Sequence, residues 1–195
     1  MIKEIQKELR VHAKEKTGNS LRKFVPGAMH VTGVSMPVIN ELVKKYKHGG
    51  FELVEALWKT KGYEERMMAA KMIRPIAKTD PQRAIALVER YSLEINNWAI
   101  CDTLGMQSLK NINKKMQKEI FALAQKLSDS DIMWQRRLSL VLVEDFCKQP
   151  AIHLEIQMLV NKQEAWSKKL DKAEAYYIKK AIVWLRSAME KKADR

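Results

Sequence analysis

Residues 95–105 read INNWAICDTLG, and one side chain among them is out of keeping with its neighbours. Asp102 is set among Ile100, Cys101 and Leu104, in a segment whose apolar spacing predicts a helix entering a core. A carboxylate buried there without a partner is costly. Trp98 lies four residues earlier, one helical turn back on the same face. An acid and an indole sharing a stripe suit a guest that is, or becomes, a cation: the carboxylate attracts the charge and the ring face adds a cation–π term. At about 4 Å and an effective dielectric near 20, that carboxylate is worth roughly 4 kcal/mol. In a transition state this amounts to about a thousandfold in rate.

Further residues of the same kind follow. Trp134 precedes Arg136 and Arg137 in WQRR, and YYIKKAIVWLR brings Tyr176, Tyr177, Lys179, Lys180 and Trp184 onto one helix. Arg and Lys suit a phosphate backbone, and indoles suit the sugar or base beside it. Each has a plainer reading. Trp98 and Trp184 fit a core, Asp102 a helix cap or a lysine partner, and Arg136 and Arg137 a solvated face beside Asp129 and Asp131. Lys179 and Lys180 fit an exposed face. Their joint placement at equivalent points of successive helices favours the functional reading. Cys101 and Cys147 lie in apolar stretches without metal or redox spacing, and the four histidines are scattered, so neither metal nor cofactor is expected.

The elements that must position these residues are helical. The 195 residues hold 46 % apolar side chains, only 7 Gly and 5 Pro, and a formal charge of +13, heaviest toward the two ends. Folded around a concave surface, that charge is a nucleic-acid footprint. No apolar run approaches a membrane span and the start is no secretory leader, so a protein without membrane association is expected, cytoplasmic or, in a cell with a nucleus, nuclear. The spacing predicts an opening helix over 2–16, a break at TGNS, and a loop through VPGAMHVTGVSMP. A helix from Pro37 is expected to end at Gly49 or Gly50, and a string of helices follows. The starts EERMMAA, NWAICDT, WQRRLSL and YIKKAIV recur about 35–45 residues apart, near the HEAT/armadillo period. The expected fold is therefore all-α: a HEAT-like repeat array, an α-α superhelix over residues 1–195 as a single domain, monomeric, with these four helices lining a basic concave face.

The order of W-x-x-x-D at Trp98–Asp102, then WQRR, then YYIKKAIVWLR, with GVSMP before the helix at Pro37, resembles the AlkD-type DNA alkylation repair glycosylases from about residue 20 to 190. That resemblance implies a HEAT-like array that grips duplex DNA containing alkylated bases and excises cationic N3- or N7-alkylated purines. It implies that Asp102 is the catalytic aspartate and that Trp98 and Trp184 contact the lesion's deoxyribose. Arg137 would lie beside the backbone, with Ser35 and Met36 near the DNA. Two departures stand out. Phe24 replaces an aromatic hydroxyl, losing a hydrogen bond, and the chain stops at Arg195 where the family continues, so part of the cleft's far wall is expected to be missing.

The implied chemistry is coherent. A purine alkylated at N7 or N3 is already cationic and leaves as a neutral base without a general acid, while the sugar turns positive opposite Asp102. The carboxylate could also position or deprotonate the attacking water. The expected activity is thus a monofunctional, alkylpurine-specific DNA N-glycosylase, a hydrolase of base excision repair. The alternative is a catalytically silent HEAT-like module that binds structured nucleic acid or a protein and has no use for Asp102. A helix-turn-helix regulator around 88–110 lacks a distinct turn and recognition helix.

Overall fold

The computed structural model describes residues 1–193. The helices are α1 (Ile2–Val11), α2 (Glu15–Phe24), α3 (Met36–Tyr46), α4 (Gly50–Lys59), α5 (Tyr63–Ile76) and α6 (Pro81–Ser92). They continue with α7 (Trp98–Thr103), α8 (Gln117–Leu127), α9 (Met133–Leu142), α10 (His153–Ser167) and α11 (Lys172–Ala193). No strand occurs among the described residues, so the fold is all-α, in keeping with a HEAT-like array. None of the described helices is long and apolar enough to cross a membrane.

Short connections make hairpins of α4 with α5, α8 with α9 and α10 with α11. Across the hairpins α3, α5, α7, α9 and α11 pack in sequence, an inner row that contains the four helix starts picked out by their spacing. The outer row is α4, α6, α8 and α10. One cluster of buried apolar side chains runs between the rows from Ile5 to Met189. The outer row is laced by ion pairs. Arg83 meets Glu52 at 3.0 Å and Glu55 at 2.9 Å, Arg90 meets Glu55 at 2.9 Å, and Lys126 meets Glu89 at 2.5 Å. Lys162 meets Asp129 at 2.6 Å, and Arg186 of α11 meets Glu164 at 2.7 Å.

The N-terminal expectation needs correction. The chain breaks at His12–Lys14, not at TGNS, which lies inside α2. The reason is tertiary. Gly18 is buried against Gly33 of the following loop, and the Lys14 amide donates to the Gly33 carbonyl at 3.0 Å, so packing overrides the weak helix propensity of Thr, Gly, Asn and Ser. That loop is held by Glu64, a fully buried carboxylate that accepts the amides of Thr32 (2.9 Å), Gly33 (2.7 Å) and Val34 (3.2 Å).

Two local features set the position of α7. Asn97 caps it, its Oδ1 accepting the Ile100 amide at 3.0 Å. Past Thr103 the helix widens into a π turn, Leu104–Ser108. A Cβ on Gly105 would lie 2.7 Å from Val141 Cγ1, so glycine is what lets α7 and α9 approach this closely.

Candidate active site

A cleft of about 500 Å³ opens where α2, α7, α9 and α11 meet. α2 and the turn after it contribute Lys23, Phe24 and Pro26, α7 contributes Trp98 and Asp102, and α9 contributes Arg137. α11 supplies Tyr176, Tyr177 and Lys180. Six residues of the sequence-based set, Phe24, Trp98, Asp102, Arg137, Tyr177 and Lys180, are thereby brought together although they come from four separate helices.

Asp102 forms the floor. Its carboxylate receives a two-pronged hydrogen bond from Arg137: Nε to Oδ1 at 3.0 Å and Nη2 to Oδ2 at 2.8 Å. The remaining Nη1 donates to the Tyr177 carbonyl, tying α7, α9 and α11 through one guanidinium. Asp102 retains 18 % side-chain exposure against 7 % for Arg137, so the pair is buried from the arginine side and open on the carboxylate side. Burial pushes the Asp102 carboxyl above the ordinary aspartate value, and Arg137 opposes that rise without cancelling it. The carboxylate in turn keeps Arg137 firmly charged against the cost of its burial. The fork takes one lone pair on each carboxylate oxygen and leaves others for a water or a cation at the mouth.

Trp98 forms a side wall and donates its indole N–H to the Phe24 carbonyl at 3.1 Å, a bond between residues 74 apart in sequence. Gly27, at φ +85, sits so close to α7 that a Cβ would meet the Asn96 carbonyl oxygen at 2.1 Å. The α2 wall is therefore seated directly on the start of α7. At the rims stand two exposed aromatics, each with an ammonium over its ring: Lys23 above Phe24 at 5.5 Å, and Lys180 above Tyr176 at 5.4 Å. Tyr177 turns inward and packs on Trp134 at 5.0 Å between ring centroids.

The other expected residues lie elsewhere. Arg136 is a correction: only 7 % exposed, it bonds the Ser130 carbonyl and Gln163 Oε1 and stacks 4.2 Å over Trp166 of α10, so it faces the outer row. Neighbours on a helix diverge by about 100°, and only the second arginine of WQRR reaches the cleft. Met36 packs against the core and Ser35 is exposed at the start of α3, and neither lines the cleft. Lys179 is exposed beside the cleft residue Lys180. Trp184, half-buried, follows Tyr177 and Lys180 by seven and four residues, extending their stripe one turn past the cleft as bounded here. Lys23 and Pro26 were missed from sequence, and the only signal for them was a cation next to an aromatic at a helix end, RKFVP.

A family model described as DNA alkylation repair enzyme matches residues 5–195. The chain belongs to the DNA alkylation repair enzyme family. No curated protein compared with the chain matches it. Membership gives it a role in DNA alkylation repair and makes DNA its partner. Its cleft carries two ammonium groups at the rims and one carboxylate at the floor.

Proposed function

We propose that this protein is a DNA glycosylase that excises cationic N3- and N7-alkylated purines from duplex DNA. The observation that carries the reading is Asp102: a carboxylate held in fixed orientation beside an indole wall, and still open on its cleft side. In the reaction the C1′–N bond breaks and its electron pair leaves with the base, which becomes neutral. Positive charge spreads over C1′ and the ring oxygen, and a water oxygen then bonds to C1′ and loses its proton to Asp102 or to solvent.

The Arg137 fork changes the energetics expected from sequence. A sugar cation about 4 Å from Asp102 gains about 4 kcal/mol at a dielectric near 20, but a guanidinium about twice as far behind takes back about 2 kcal/mol. The net, about 2 kcal/mol, is about thirtyfold in rate. What Arg137 returns is orientation and ionisation, since an unpaired carboxylate at this depth would tend to protonate. The Trp98 face adds its own cation–π attraction.

The test is base release from an oligonucleotide duplex bearing 7-methylguanine. The wild type frees the base, and Asp102→Asn lowers release at least about thirtyfold while leaving duplex binding unchanged or slightly tighter. Wild-type release from Asp102→Asn overturns the assignment of the acid. The same ion pair also supports a second reading, a silent DNA-binding module in which Asp102–Arg137 is merely an internal staple. On that reading neither form releases base.

A further inference from the structure

The α2 wall of the cleft has little packing of its own. Gly18 is the only buried residue of α2, and of the helix's two large apolar side chains Leu21 is half-buried and Phe24 exposed. A helix of 10 residues with so little burial is not stable by itself. Yet α2 and the turn after it bring Lys23, Phe24 and Pro26 to the cleft. Something else must hold them there.

The support is the loop that turns back beneath the helix at residues 31–34. The Lys14 amide donates to the Gly33 carbonyl at 3.0 Å, and Arg22 Nη2 donates to the Val31 carbonyl at 3.3 Å. A Cβ on Gly33 would lie 2.6 Å from the Lys14 carbonyl oxygen and 3.0 Å from the Gly18 nitrogen. Helix and loop therefore meet backbone to backbone, with no side chain between them to take up slack. The loop is fixed in turn by α5. Glu64 Oε1 accepts the amides of Gly33 and Val34, and Oε2 accepts that of Thr32. Glu64 is fully buried in the first turn of α5, where the helix dipole favours a carboxylate. Gly33, at φ +93, is the left-handed residue that lets successive N–H groups converge on one anion.

Glu64 does not line the cleft. A continuous line of contacts nevertheless joins it to the cleft: its carboxylate, the loop amides, Gly33 against Gly18, the Phe24 carbonyl and the Trp98 indole. Trp98 tethers one end of α2, and Glu64, through the loop, tethers the other. We infer that Glu64 is a positioning residue, which sets the α2 wall and with it the Trp98 ring against Asp102. The inference rests on the glycosylase reading for what the wall does, but not for where the wall stands.

The test compares Glu64→Gln with Glu65→Gln. Both remove one negative charge from the first turn of α5, but Glu65 turns to Gln6 of α1, at 3.4 Å, and accepts no loop amide. Glutamine at 64 keeps one acceptor oxygen and aims an NH2 group where an amide needs an acceptor. The readouts are the indole N–H resonance of Trp98, assigned by its loss in Trp98→Phe, and base release from the 7-methylguanine duplex. Glu64→Gln is expected to shift that resonance and to speed hydrogen exchange at the amides of residues 32–34 at least about tenfold. It lowers the maximal rate of release about tenfold or more, with duplex binding kept within about threefold. Glu65→Gln keeps the wild-type resonance, exchange and release. Glu64→Asp retains the charge on a shorter side chain and falls between; it carries the same readouts alone should the glutamine variant fail to fold. A Trp98 resonance unmoved by the change at 64 overturns the inference even where loop exchange rises, since Glu64 then only staples the loop. Equal shifts in the variants at 64 and 65 overturn it too, and so does a shifted resonance with wild-type release. A wild type that frees no 7-methylguanine sinks the glycosylase and leaves the resonance to decide the placing of the wall.

Discussion

The outer row and the cleft use charge in opposite ways, although the inner helices outside the cleft also carry carboxylate pairs, Lys45 with Glu8 and Arg66 with Glu94. In the outer row Arg83, Arg90, Lys126 and Lys162 each find a carboxylate on the neighbouring helix or its end. Along the cleft and α5, Lys23, Lys180, Lys71 and Arg74 are set against aromatic rings or amides. The single acid lining the cleft, Asp102, is bound to the most buried cation there. An excess of +13 is thus not a uniform coat. Stacking one repeat on the next uses cations that are neutralised in place, and exposed ion pairs of this sort add little each. The cleft cations are left without a carboxylate of their own, Arg137 excepted, as the proposed DNA attraction requires.

The difference can be broken at its strongest point first. Arg137→Ala strips the cleft of its ion pair and leaves Asp102 uncompensated. The loss is expected to be about 3 kcal/mol in denaturant unfolding, with base release falling further than unfolding alone explains. The pH profile sharpens the same point. Release requires ionised Asp102, so it declines as pH falls through that group's pKa. Burial holds this pKa above the usual 3.8, and the acid limb therefore lies higher than for an ordinary aspartate. Under native conditions Arg137→Ala moves the limb higher still, because the opposing hydrogen bonds are gone. A limb that does not move separates the rate from Asp102. Gly105→Ala forces Val141 aside and is expected to cost about 1–2 kcal/mol, net of its gain in helix propensity. Its effect on release exceeds its effect on DNA binding, since it displaces α9 and Arg137 with it. Smallest is Glu55→Gln, which loosens two outer pairs. Its melting temperature stays within about 2 °C of wild type, and its salt slope for DNA is unchanged.

Much of this was legible in the residue order. Apolar recurrence at three and four residues gave the helices, and the starts EERMMAA, NWAICDT, WQRRLSL and YIKKAIV fell on α5, α7, α9 and α11, the last of them five residues inside its helix, because each hairpin must present one face to the core. Asp102, Trp98 and Lys180 could be picked out because their types are anomalous on a core-bound stripe. Arg136 and Arg137 could not be told apart, since their fates depend on which neighbouring helix each meets. The role of Arg137 was likewise hidden: an arginine expected at the backbone has all three nitrogens engaged by Asp102 and Tyr177, a fact of tertiary distance alone. TGNS misled because local propensity pointed one way and the Gly18–Gly33 contact the other. Lys71 and Arg74 look like any helical cations until their partners prove to be amides.

The hydrogen bond from Trp98 to the Phe24 carbonyl has one more effect. An indole committed to a main-chain oxygen cannot swing, so the ring face it shows is chosen when the protein folds and not when a ligand arrives. Freezing such a side chain on binding costs about 0.5–1.5 kcal/mol. Here that entropy has been surrendered beforehand, and any arriving ligand meets a wall already standing still.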